Sequence, residues 1–225
     1  MSFRILFVTS TIAEARVLEK LRGFRKGDGT YMSDNVEIRV LISGVGCIPT
    51  VWAVKHWIAR NRRPDLVINA GIAGSFNSEI GIGSVVMPVA DCFADSGIED
   101  GDNFLTLSEA GLAGADEFPF INGYLHADSG YVKKFEKVLT PVTAITVNTA
   151  SGSVPTIDKL LRKYNPDIET MEGAAFFYIC IREYLPFLAV RAVSNIVEPR
   201  NKENWDITLA LANLSEKLNE IILTF

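Results

Sequence analysis

Glu169-Thr170-Met171-Glu172-Gly173-Ala174-Ala175-Phe176-Phe177, followed by Val190-Arg191-Ala192-Val193-Ser194-Asn195, decides the fold. The first segment reads as a strand that runs into a helix whose opening turn carries a carboxylate among small residues. The second reads as a buried strand ending in a polar amide. In open α/β sheets ligands bind beyond the carboxyl ends of the strands, so Glu172 and Asn195 are expected to face one pocket.

Upstream, the same alternation repeats. Phe3 to Thr9 is a compact β-type run, and Thr11-Ile12-Ala13-Glu14 has capping-box spacing, opening a predicted helix through Arg22. A second strand is predicted over Val36 to Ser43, leading through Gly44-Val45-Gly46 to Pro49, which suits the first turn of a helix running to about Asn61. Pro64 to Ala70 gives a third strand, and Ser84 to Ala90 another. Asp91 to about Tyr124 is polar, rich in Gly and Asp, and without clear periodicity; so long an irregular stretch suggests a lid or an interface. Order returns with a helix near Gly130 to Val138, a strand at Val142 to Asn148 and a helix over Val154 to Tyr164. From Asp206 an amphipathic helix aligns Ile207, Leu211, Leu214, Leu218, Ile221 and Ile222 on one face. Strands alternating with helices predict an α/β sheet covered on both faces.

Composition narrows the function. The 225 residues suffice for one large domain, and 48% hydrophobic with 22% charged residues is ordinary for a soluble globular chain. A net charge of -5, with no basic run beyond Arg60 to Arg63, speaks against a nucleic-acid partner. Cys47, Cys92 and Cys180 are odd in number and widely spaced, which fits neither a disulfide framework nor a zinc site and points to a reducing compartment. No export signal or membrane span is read, so a cytoplasmic setting is expected.

Several motifs invite chemistry, each with a plainer reading beside it. Gly44-Val45-Gly46 lacks the third glycine of a dinucleotide fingerprint and reads better as a tight strand-to-helix turn. Ile68-Asn69-Ala70-Gly71-Ile72-Ala73-Gly74-Ser75 reads as a strand ending in a Gly-bracketed turn, open to a ligand or simply a turn. Glu14 can serve its own helix as a capping-box residue, Glu172 can complement a helix dipole, and Asn195 can satisfy backbone groups. His56 and His126 have no nucleophile or ligand partner in recognisable spacing, so neither a triad nor a metal centre is expected; His56 reads as helical surface. Trp205 is either a helix-start staple or a pocket wall.

Taken in order, Glu14 after the first strand, Asn69-Ala70-Gly71-Ile72-Ala73-Gly74, Met171-Glu172 and Val190 to Asn195 resemble the purine nucleoside phosphorylase and nucleosidase superfamily, over nearly the whole chain. Within it, Ser96 to Asp102, Phe104 to Leu107, Val147-Asn148-Thr149 and Asn195 to Arg200 leading to Trp205 are similar to the futalosine hydrolase family. The resemblance implies a three-layer α/β/α sandwich around a twisted mixed sheet and a cofactor-free N-ribosyl hydrolase. By the same resemblance Met171 and Glu172 hold the ribose, Glu14 orients or deprotonates the attacking water, Gly71, Ile72 and Ala73 line the water and ribose pocket, and Val147, Asn148 and Thr149 lie along the purine. Arg200, or a residue of the segment from Asp91 to Tyr124, is the expected partner of the aryl carboxylate of futalosine. A homo-oligomer is also implied, since a loop of one subunit closes its neighbour's pocket in relatives.

Breaking an N-glycosidic bond leaves positive charge on the ribosyl group and negative charge on the departing base, which asks for a carboxylate at the sugar and a hydrogen-bonding group at the base. Adenine-specific relatives carry an aspartate where this chain has Asn195. An amide cannot protonate N7, but it can accept from a protonated N7 and donate to O6, which fits a 6-oxopurine and makes hypoxanthine the expected leaving base. Hexameric phosphorylases have an arginine just before the Gly turn, where this chain has Asn69, so water rather than phosphate is the expected nucleophile, with Arg16 and Arg191 as the cations that would reverse this. A phosphorylase, a methylthioadenosine-type nucleosidase and a non-catalytic nucleoside-binding module are the alternatives.

Overall fold

Successive residues of the first strand project to opposite sides of a sheet, and both sides are dry. Ile5 and Phe7 enter one buried cluster, Leu6 and Val8 another. The computed structural model describes residues 2–101, 103–127, 129–199 and 201–225. In chain order the first half forms β1 (Phe3–Thr9), α1 (Ile12–Ala15), β2 (Arg25–Lys26), β3 (Thr30–Met32), β4 (Val36–Ile42), α2 (Cys47–Arg60), β5 (Leu66–Ser75) and β6 (Val85–Asp91). The second half forms β7 (Gly97–Asp100), β8 (Asn103–Thr106), β9 (Leu125–His126), α3 (Ser129–Phe135), β10 (Thr140–Thr146), α4 (Val154–Tyr164), β11 (Ile168–Thr170), α5 (Gly173–Arg182), β12 (Phe187–Ile196) and α6 (Ile207–Ile222).

The main sheet is mixed, in the order β11-β10-β6-β12-β5-β1-β4-β3-β2, with β9 beside β6. It is parallel at β1–β4, β1–β5, β5–β12, β6–β10 and β10–β11, and antiparallel at β6–β12. This is the three-layer α/β/α arrangement expected from the sequence. The helix α6 packs Ala210, Leu214, Leu218, Ile221 and Ile222 against one face, while α2 and α5 cover the other. In α5, Phe176 and Phe177 are fully buried, and each contributes roughly 1.5–3 kcal/mol of transfer free energy.

One feature of the sheet has no counterpart in a strand-by-strand reading. Strand β11 pairs with β10 on one side and, antiparallel, with β5 on the other, so β5, β12, β6, β10 and β11 close into a ring. Ala73, Val86, Val142, Ala144, Ile168 and Val193 form a separate core cluster of residues from these five strands.

Three local expectations change. The helix expected from Thr11 through Arg22 is a single α-turn, Ile12–Ala15, that tightens into a 3-10 turn over Arg16–Lys20. The Gly-bracketed "turn" after Ala70 is not a turn: β5 continues unbroken to Ser75. The stretch from Asp91 to Tyr124 contains the hairpin β7–β8, tied to α4 by Lys163, which bonds Glu109 at 2.5 Å and the Phe104 carbonyl at 2.9 Å.

Candidate active site

Glu14 does what a capping-box residue does, and more. Thr11 Oγ1 accepts from the Glu14 amide at 3.2 Å, and Glu14 Oε2 accepts from the Thr11 amide at 2.9 Å and the Thr11 hydroxyl at 2.8 Å. The Thr9 hydroxyl adds a bond to Oε2 at 3.2 Å, and the Ile72 amide donates to Oε1 at 3.1 Å. The carboxylate is buried and anchored from both β1 and β5. A Cβ on residue 71 would lie 2.5 Å from Glu14 Oε1, so Gly71 is the backbone clearance for this carboxylate.

Glu172 occupies the N-cap position of α5, yet its side chain does not cap the helix. Its Oε1 instead accepts from the Gly46 amide at 2.9 Å. Gly46 has φ +99° and Gly44 φ +89°, so the Gly-Val-Gly segment is the tight turn expected of it, and it delivers an amide to Glu172. Burial pushes the Glu172 carboxyl above the usual range, with the Glu14 charge adding to this; the Gly46 amide, Arg191 and the Ser10 hydroxyl pull it back.

The strand β12 shifts register against β5 between Val193 and Asn195, which places Asn195 opposite Gly74. The Ser194 hydroxyl donates to Asn195 Oδ1 at 2.9 Å, and Asn195 Nδ2 donates to the Ile196 carbonyl at 3.1 Å. Arg191, three residues before Ser194, is buried and donates to the Asn69 side-chain and main-chain oxygens and to the Val190 carbonyl. Burial pulls the Arg191 guanidinium below its ordinary value, and the neighbouring acids Glu172, Glu14 and Asp91 oppose this.

Glu14, Ile72, Ala73, Met171, Glu172 and Asn195 line one cavity of about 180 Å³, with Trp205 in its wall. Gly71 stands behind Glu14. Val147, Asn148 and Thr149 are not on the cavity wall: the Val147 amide bonds the Thr170 carbonyl, and Asn148 is held by Asp95 through both its amide nitrogens at 2.6 and 3.0 Å. The next two residues, Ala150 and Ser151, line the cavity instead. Arg200 lies outside the described residues. Sequence reasoning missed Ser151 and Glu169, which converge on the same cavity, because nothing in their spacing distinguishes them from loop and strand residues. A larger cavity of about 290 Å³, lined by Phe93, Phe120, Tyr124 and Tyr164 among others, is formed between residues of the 91–124 segment and the end of α4. Volume does not identify the site here; the meeting of buried carboxylates and an amide does.

Among the described residues of the smaller cavity's lining there is no Lys or Arg, and Arg16 is exposed on the 3-10 turn. Among the described residues no group of three or more His, Cys, Asp or Glu side chains could hold a metal ion. No described helix is long and apolar enough to cross a membrane.

A ring-closed mixed sheet with two carboxylates and an amide at its strand ends defines a class, and the chain belongs to the phosphorylase superfamily, whose sequence pattern matches residues 3–225. Within that class it is 32% identical to the futalosine hydrolase of Streptomyces coelicolor, over 72% of this chain and 68% of that protein. It is 31% identical to the futalosine hydrolase of Acidothermus cellulolyticus, over 95% and 88% of the two chains. Among solved structures, futalosine hydrolase of Helicobacter pylori superposes with a TM-score of 0.81 at 15% identity, covering 100% of this chain and 99% of that one. A 5'-methylthioadenosine/S-adenosylhomocysteine nucleosidase of the same organism, with 5'-methylthioadenosine in its active site, gives a TM-score of 0.80 at 17% identity and full coverage of both chains.

Proposed function

We propose that this chain is an N-ribosyl hydrolase that cleaves the glycosidic bond of a 6-oxopurine nucleoside, futalosine first among them, and releases hypoxanthine on a route to menaquinone. The observation that carries the reading is the convergence of Glu14, Glu172 and Asn195 on one cavity in a chain over 30% identical to two futalosine hydrolases.

In this reading Glu172, ionised and steadied by the Gly46 amide, accepts hydrogen bonds from the ribose hydroxyls and stabilises the positive charge that grows on the sugar as the bond breaks. Glu14 takes a proton from a water held at Oε1, the oxygen that among the described residues carries a single hydrogen bond, from the Ile72 amide. As the C1'–N9 bond breaks and the water oxygen bonds C1', the departing base takes a proton on N7 from solvent, and Asn195 turns its amide from the Ile196 carbonyl toward the base to accept from that N7–H and donate to O6. The absence of cations from the described cavity wall supports water over phosphate as nucleophile. The same reading includes a homo-oligomer in a reducing, cytoplasmic setting, which suits three free cysteines.

The test is chromatographic detection of free base after incubation with futalosine, inosine and methylthioadenosine, each with and without phosphate. Hypoxanthine from futalosine, independent of phosphate, is expected. Phosphate-dependent release would make the chain a phosphorylase, and adenine release from methylthioadenosine would make it a methylthioadenosine-type nucleosidase.

A further inference from the structure

Gly74 lies between two polar residues of the cavity wall. On one side β11 places Glu169 opposite it, and on the other β12 places Asn195 opposite it. Neighbouring strands lie about 4.8 Å apart, so Glu169 and Asn195 stand roughly 10 Å apart across a position with no side chain. The clearance is used: a Cβ on residue 74 would come within 3.1 Å of Asn195 Nδ2 and 2.9 Å of Val197 Cγ2. Asn195 and Val197 take the space over Gly74, and a planar group lying in the cavity beyond them would have the amide at one end and Glu169 with Ser151 at the other.

Glu169 is buried, and among the described residues it takes part in no ion pair. Burial pushes its carboxyl above the usual range, the two Ser151 bonds oppose this, and the Asp95 charge adds to it. Its Oε1 accepts from the Ser151 amide at 2.8 Å and its Oε2 from the Ser151 hydroxyl at 2.6 Å. Holding the turn at residue 151 needs only an acceptor, and a neutral amide oxygen would serve without the desolvation cost of a carboxylate. What a carboxylate adds is directionality. It accepts only, so the Ser151 proton is committed to it and Ser151 Oγ is left with lone pairs alone to offer the cavity.

That polarity matches one class of base. A 6-oxopurine carries a hydrogen on N1; a 6-aminopurine presents a lone pair there. We propose that Glu169, acting through Ser151, reads the N1–H of a 6-oxopurine at the end of the base opposite Asn195, and that this pair sets the preference for 6-oxo over 6-amino substrates. The inference rests on the nucleosidase reading above and extends it to the far edge of the base. Opposing two acceptors across a desolvated contact is the arrangement that lets a site built around hydrogen bonds reject a near-isostere strongly, by up to about 10⁴.

The experiment compares kcat/KM for futalosine and for its 6-amino counterpart in the full chain and in Glu169→Gln and Ser151→Ala. The unaltered protein is expected to favour the 6-oxo substrate by about 100-fold or more. In Glu169→Gln, whose amide can donate to Ser151 Oγ and free the hydroxyl to donate to N1, that ratio is expected to fall at least 10-fold, with the 6-amino substrate gaining relative to the 6-oxo one. Ser151→Ala removes the acceptor and carries the test should the first variant fail to fold; its ratio falls by a similar factor. Equal losses on both substrates would reduce Glu169 to a purely structural brace and overturn the inference while leaving the hydrolase reading intact. An unaltered protein that cleaves neither substrate would remove the hydrolase reading and this inference with it.

Discussion

At the scale of single residues, Glu14 resolves an ambiguity that sequence leaves open. Its capping bonds leave one oxygen lightly held: among the described residues Oε2 takes three bonds from Thr9 and Thr11, while Oε1 takes one, from the Ile72 amide, and the residue also lines the cavity. The helix start therefore acts as the mount of a base. Glu14→Gln keeps the shape and loses the base, and a fall in kcat of about 10²–10⁴ is expected, with calorimetric binding of hypoxanthine retained. Unchanged turnover would remove Glu14 from the chemistry. Gly71→Ala tests the same mount from behind, because the added methyl would lie 2.5 Å from Oε1 and break its bond to Ile72. At least a 10-fold loss of kcat is expected, with the melting temperature lowered by only a few degrees, since misplacing a catalytic group costs far more rate than stability. Glu172 gives the pH dependence. Its carboxyl is raised above 4.5 by burial, and it must be ionised to accept from sugar hydroxyls, so activity is lost as pH falls through that raised value. The acid limb of the kcat/KM profile should therefore have its midpoint above 4.5, and a midpoint at or below 4.5 would speak against this role.

At the scale of elements, the start of α5 rests on a buried acid. The carboxylate oxygen Oδ1 of Asp91, at the end of β6, accepts from the Thr146 hydroxyl at 2.9 Å, and that hydroxyl accepts from the Ala174 amide at 2.7 Å. The other oxygen, Oδ2, has no hydrogen-bond partner among the described residues and sits 2.1 Å from where a Cβ of residue 173 would be, which is why glycine follows Glu172. Burial lifts the Asp91 carboxyl to about 7 from 3.8, against the opposing pull of Thr146, Arg191 and the Cys92 amide. Between those values the folded chain holds a proton that the unfolded chain has released, so Asp91 lowers stability as pH rises through the window, by up to about 1.4 kcal/mol per unit, and adds nothing further above the folded value. Asp91→Asn has no such slope. Its melting temperature relative to the parent is expected to climb from pH 4 to pH 7 and then level off, and a constant difference would show that Asp91 does not titrate there. Elements of this kind mark the limit of what was legible. The compact apolar run of Phe3–Thr9, the capping signal at Thr11 and the apolar face of the last helix from Leu211 onward are local and were readable in sequence, although Ile207, expected on that face, is exposed. The continuation of β5 through Gly71 and Gly74 was not: two glycines in a strand look like a turn until the carboxylate of Glu14 and the amide of Asn195 are seen occupying the space their side chains would need. The closure of β11 onto β5 joins Glu169 to Gly74, the register shift sets Asn195 against the same Gly74, and the approach of Glu169 to Ser151 follows from where those pairings put β11, none of which a local pattern encodes.

At the scale of the whole molecule, apolar side chains are exposed on the elements that lead to the cavity. Ile12 on α1 is 63% exposed, and Ile48 and Trp52 on α2 are 83% and 68% exposed; Val45, in the turn between β4 and α2, is half exposed and also lines the cavity. Large apolar side chains gathered near a binding site mark an interaction surface, and a second copy of the chain is the occupant that accords with the expected homo-oligomer. A stable dimer buries about 1,600 Å² in total with its hydrophobic contacts central, so two charges placed on α2 would abolish it. The native chain is expected to sediment as a dimer or larger at micromolar concentration, and Ile48→Glu combined with Trp52→Glu to sediment as a monomer that retains its melting transition. Because Val45 belongs both to this surface and to the cavity wall, kcat/KM should fall in that monomer, by about 10-fold or more, even though neither altered side chain lines the cavity. A native chain that sediments as a monomer while fully active would show that the cavity is complete within one copy.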